Sequence, residues 1–111
     1  MSSSSADTIA KLNDTFRLYG DKNLVWLSPG VSKRGANFTT EVLAIVRGAS
    51  EGTWAPGHER NEARFQHGGV LVLWKIKYFN RKEGGPSPDP ADPKKTVRLL
   101  VIGLEDEPGV F

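Results

Sequence analysis

Three groups of side chains have types and spacings that could do chemistry. The first is His58 with Glu59 and Glu62, nitrogen and oxygen donors that could hold a divalent ion or serve as the acid and base of a hydrolase. It lacks the HExxH spacing that sets two imidazoles on one helix face, and the chain has no Cys to complete a zinc site. The second is Asp89 with Asp92 inside Ser87 to Pro93, where the acidic spacing and closing Glu of a calcium loop are missing. Each of these Asp residues precedes a proline, so its expected role is local: a carboxylate accepting from backbone N–H in an Asx-type turn. The reading is no metal and no cofactor.

The third group is basic. Lys75 and Lys77 share one face of a strand-like run, Arg81 and Lys82 extend it, and Lys94, Lys95 and Arg98 return along the next strand if the two pair. With Tyr78 and Phe79 beside them, these cations could contact phosphates while the rings stack on bases. The plainer reading is a solvated outer face whose lysines guard a sheet edge. Trp54, a large aromatic in the aperiodic stretch Ala49 to Glu62, joins them as a candidate for partner binding.

Missing motifs narrow the field further. No Cys means no thiolate nucleophile and no disulfide, and there is no nucleophile elbow, Walker loop or dinucleotide fingerprint. Gly84 and Gly85 follow a strand but lead into Pro86 instead of a helix that could hold phosphate. With no catalytic motif, the chain reads as a non-enzyme. Fifteen Lys and Arg against 13 Asp and Glu, a net charge of +2, give no whole-molecule cationic field. No apolar window is long enough to span a bilayer, and the polar start Met1 to Ser5 has no apolar segment behind it, so a cytoplasmic, membrane-free protein is expected.

The elements that must position these groups are set by periodicity. Residues 1–6 read as a tail. A helix is predicted from Asp7 to Gly20, with Ile9, Leu12, Phe16 and Tyr19 on its apolar stripe and Lys11, Asp14 and Arg17 facing away. Leu24 to Leu27 reads as a strand stopped by the turn Ser28, Pro29, Gly30. A second helix runs from near Asn37 to Gly48 with Phe38, Val42, Ile45 and Val46 inward. Weak alternation over Ala63 to Gln66, then His67, Gly68 and Gly69, predicts a hairpin into Val70 to Phe79. Val70, Val72, Trp74, Ile76 and Tyr78 form its core face. The Pro- and Gly-rich connector 80–95 precedes Thr96 to Leu104, apolar on both faces and therefore central in its sheet. The order predicts a single α+β domain over 1–111, an antiparallel sheet of three to four strands with two helices packed on it. If the lysine face were open to water, Leu71, Leu73, Leu100 and Ile102 would leave an apolar patch there for a helix or another protein to cover.

Four stretches, Ile9 to Arg17 (IAKLNDTFR), Trp74 to Arg81 (WKIKYFNR), Ser87 to Pro93 (SPDPADP) and Arg98 to Leu104 (RLLVIGL), resemble a family of small bacterial, phage and plasmid proteins known as domain of unknown function 3768. The resemblance covers most of the chain in the same order, implies a mobile-element setting and assigns no activity. It also implies a His and an Asp beside a Phe and Gly before the hairpin, and an acidic residue in the long strand. Here those places hold Arg60, Asn61, Glu62 and Ala63, and Lys77, so catalysis built on them does not carry over.

The leading expectation is a small accessory protein that binds a host protein complex, in the manner of an inhibitor of a defence system such as a CRISPR effector. The alternative is a nucleic-acid-binding module using the basic sheet face. A hydrolase centred on His58, Glu59 and Glu62 comes third. Oligomeric state is open, a homodimer included.

Overall fold

The computed structural model describes residues 5–20, 22–48, 59–107 and 109. Helix α1, Ser5–Tyr19, starts inside the stretch read as a tail. It stops at Gly20, whose N–H donates to Phe16 O at 2.7 Å, and a Cβ there would lie 2.4 Å from that same oxygen. A single 3-10 turn, Lys22–Leu24, leads into β1, Val25–Leu27. The strand gives way to a short helix instead of an open turn: α2, Pro29–Ser32, has Pro in its first turn, where a missing N–H costs nothing, and Ser28 as its N-cap. Helix α3, Ala36–Arg47, completes the layer.

Three longer strands complete the sheet: β2, Glu62–His67, β3, Val70–Asn80, and β4, Thr96–Leu104. The β2–β3 hairpin turns at Gly68 (φ 60°) and Gly69 (φ 82°), the two positive φ values that a two-residue turn matched to strand twist requires. The sheet order is β1-β4-β3-β2, so β4 is internal, as its two apolar faces predict. The fold is α+β, with one difference in the sheet: β1 runs parallel to β4 while the other pairings are antiparallel. A parallel pair needs a long connection, and here the rest of the domain lies between the two strands.

Register decides which side chains share a face. Pairing Trp74 with Ile102, Ile76 with Leu100 and Tyr78 with Arg98 puts these residues on the side covered by the helices. Val72, Trp74, Ile76, Leu100 and Ile102 meet Val31, Val42 and Val46 there, all nearly inaccessible, with Phe16, Phe38 and Leu43 packed around them. Leu100 and Ile102 therefore belong to the core and not to the patch expected beside Lys75.

Two helix faces differ from the periodic reading. Tyr19 is 81% exposed and Ile45 40%, whereas α1 buries Ile9, Ala10, Asn13 and Arg17. The reason lies in what α1 covers: this end of the sheet presents Tyr78 and Arg98, so polar helix residues find partners there.

Beyond β4 the chain folds back. Glu107 accepts hydrogen bonds from Ser28 Oγ (2.5 Å), Gly30 N–H (2.9 Å) and Leu104 N–H (2.9 Å), tying the end of the sheet to the start of α2. Burial works to raise its carboxyl, but those hydrogen bonds, with Lys33 near, outweigh it and hold it below the ordinary value. A Cβ on Gly30 would meet the same carboxylate at 2.4 Å, so the clasp requires glycine.

Candidate functional site

The sheet carries two polar constellations, one under each face. The inner one is a buried network. Arg98, 7% exposed, donates from Nε to Asn13 Oδ1 (2.7 Å) and from Nη2 to Pro90 O (2.6 Å), with its guanidinium 5.2 Å from the centre of the Tyr78 ring. Asn13 Nδ2 donates to Tyr78 Oη (2.7 Å) and to Glu59 O (2.9 Å), and Tyr78 Oη donates to Glu59 Oε1 (3.0 Å). Asp14 holds both Arg17 and Arg60, and Arg17 sits 5.5 Å over Trp74. Arg47 of α3 caps the carbonyl end of α1 through Arg17 O and Leu18 O.

Electrostatics make this network a strut. Burial, above all, raises the Tyr78 phenol far over its ordinary 10.0, the nearby Glu59 charge adding to it against the Asn13 hydrogen bond, so the hydroxyl stays protonated. Burial likewise lowers the Arg98 value, opposed by the nearby Glu59 charge. Neither group is poised as a base, and Arg98 spends its donors inside the fold. All four stretches that carry the family resemblance contribute: Asn13, Asp14 and Arg17, then Trp74 and Tyr78, then Pro90, then Arg98. The spacing of Ile9, Asn13 and Arg17, four residues apart, was the available sign that a polar stripe could face inward.

The outer face is built differently. Trp26 pairs with Val101, Lys75 with Val101, Leu73 with Gly103, Lys77 with Leu99 and Phe79 with Val97, which places an apolar band and two lysines on the side away from the helices. All described helices contribute to the opposite side. Val101 is buried beneath its neighbours, Leu71, Leu73, Phe79, Val97 and Leu99 are half-buried, and Trp26 is 44% exposed at the rim. Lys75 and Lys77 are half-buried too, and neither makes an ion pair among the described residues.

The predicted basic cluster is thereby divided. Lys75 and Lys77 stay together on the outer face. Lys82, Lys94 and Lys95 line a separate hollow of about 220 Å³ with Asn80, Arg81 and Pro88 at the connector end. Arg81 is committed to holding that connector, donating to Pro93 O and Thr96 O, each at 3.1 Å. Arg98 leaves the cluster: the register gives it to the helix side, where it is buried. Trp54 and His58 lie outside the described residues, as do the rest of 49–58 and residues 1–4, 21, 108, 110 and 111.

The remaining candidates have local roles. Asp89 Oδ1 accepts from Ala91 N–H and Asp92 Oδ1 from Lys94 N–H, the two Asx turns expected of the connector. His67 Nε2 lies 2.9 Å from Glu41 Oε1, with its ring beside Phe38, pinning β2 to α3. Among the described residues no His, Asp and Glu group could hold a metal ion, and no helix is long and apolar enough to cross a membrane.

No curated protein and no solved structure matches the chain. A family model does, over residues 27–107, taking in α2, α3, β2, β3, the connector and β4, with only the last residue of β1. Most of the chain is matched, and it belongs to the family described as Protein of unknown function (DUF3768).

Proposed function

We propose that this protein works by binding another protein through the outer face of its sheet. One observation supports the reading most: an apolar band of Trp26, Leu73, Phe79, Leu99 and Val101 runs beside two lysines that make no ion pair among the described residues, on the side opposite every described helix. An apolar centre bordered by unsatisfied charge fits a partner surface with an apolar patch and carboxylates at its rim. The finer expectation, inhibition of a host defence complex, comes with the family's mobile-element setting and is tested by phage plating on hosts with and without the defence system.

The nucleic-acid alternative loses two of its cations, because Arg98 is buried and Arg81 is engaged by backbone carbonyls. A direct test places a photoreactive residue at Trp26 or at Ile45. The two side chains are about equally exposed, 44% and 40%, but Ile45 lies on helix α3 in the other layer. Discrete nuclease-resistant adducts from position 26 and none from position 45 support the proposal. Equal yields from both, or adducts removed by nuclease, overturn it.

A further inference from the structure

The edge of β3 has an opening one residue long. Ile76 N–H donates to Asn61 O at 2.6 Å, the last bond on the β2 side, and beyond it the chain turns away at Arg60 (φ 58°). Further along, Tyr78 O accepts from Ser87 N–H (3.2 Å) and Asn80 N–H donates to Gly85 O (2.6 Å), around the bridge between Phe79 and Pro86. Continuing the two registers sets Asn61 opposite Ile76 and Ser87 opposite Tyr78, so no described residue stands opposite Lys77. Alternation along a strand then points the Ile76 carbonyl and the Tyr78 N–H into the gap, and among the described residues no backbone bond fills it.

A cavity of about 310 Å³ lies here, lined by Asn61, Lys75, Lys77, Phe79, Gly85 and Pro86 with the strand backbone. We propose that this notch captures the C-terminal residue of a partner polypeptide. An acceptor and a donor flanking one strand position are what a residue in parallel register uses, its N–H to Ile76 O and its carbonyl oxygen to Tyr78 N–H. The opening is too short for a strand to run through, because Asn61 and Ser87 close both ends, but a chain end can stop in it. There the oxygen facing Tyr78 belongs to a carboxylate, and Lys75 and Lys77, which make no ion pair among the described residues, supply its counter-charge. Phe79 and Pro86 leave an apolar wall for the terminal side chain.

The inference rests on the protein-binding reading and specifies the chemistry of the partner. Its test uses the full chain and a library of fluorescent pentapeptides with free C-termini, beside the same sequences amidated. Selected free peptides are expected to bind about tenfold or more tighter than their amides, and K75Q/K77Q to lose about tenfold. In hydrogen exchange, a saturating free peptide slows Tyr78 N–H and leaves Asn80 N–H unchanged. Equal binding of amides, no binding by any peptide, protection of Tyr78 N–H by a single-stranded oligonucleotide instead, or an unaltered Tyr78 N–H in the complex each overturns it. If position-26 crosslinking persists through any of these results, the notch falls and the protein-binding reading stands.

Discussion

Both faces of this sheet are apolar through the middle, yet they are finished in opposite ways. On the helix side Val72, Trp74, Ile76, Leu100 and Ile102 are closed over, and the polar groups among them, Asn13, Tyr78 and Arg98, are bonded to one another. On the outer side the apolar band stays half-open and its lysines make no ion pair among the described residues. Buried polar groups must be satisfied internally, whereas a surface can hold unsatisfied groups only where water or a partner serves them. The inner face thus holds the fold together, and the outer face is the one to which we assign the proposed binding.

Substitutions can break that comparison. The largest effect is expected at Trp74, 2% exposed: Trp74→Ala costs roughly 3–5 kcal/mol in denaturant unfolding, while Trp26→Ala on the other face costs less than about 1 kcal/mol. If the two were equal, the assignment of faces would be wrong. Next is Arg98→Ala, which strips donors from Asn13 Oδ1 and Pro90 O and costs about 2–4 kcal/mol, against about 0.5 kcal/mol or less for Lys77→Ala. Lys at position 98 rescues little, since one ammonium cannot reproduce the guanidinium fork.

Smaller effects come from single polar atoms. Tyr78→Phe removes the hydroxyl shared by Asn13 and Glu59 and costs about 1–2 kcal/mol. Because the folded phenol lies above its unfolded value, its contribution is complete below pH 10.0 and is lost as pH rises beyond it. Unfolding measured from pH 9 upward should therefore show a steeper decline for the wild type than for Tyr78→Phe. Glu107 gives the converse case. Its depressed carboxyl contributes fully above the unfolded value of about 4.5 and loses that contribution as pH falls through the lower folded one, so Glu107→Gln flattens the acid limb of the stability profile. An unchanged acid limb would mean that the clasp on α2 contributes nothing.

Much of this arrangement was legible from residue patterns. The hairpin followed from paired glycines, the central place of β4 from its two apolar faces, and the connector turns from Asp before Pro. The buried stripe of α1 was not, because a hydrophobic period cannot reveal that Asn13 and Arg17 will meet Tyr78, Arg98 and Trp74 from other elements. Arg98 was misplaced for a related reason: grouping it with Lys75 and Lys77 assumed a register, and a slip of one residue moves a side chain to the other face. The edge notch was illegible as well, since it exists only where β2 stops and the connector returns.

The most direct test of the division between faces is a paired readout on Leu73→Lys/Leu99→Lys, made in a chain carrying the photoreactive residue at position 26. Both leucines are half-buried, and a lysine stem can lie along the band. The melting temperature should fall by no more than about 4 °C while adduct yield drops about tenfold. A yield that survives, or one that falls only in step with a collapse in melting temperature, would contradict the assignment of binding to this face.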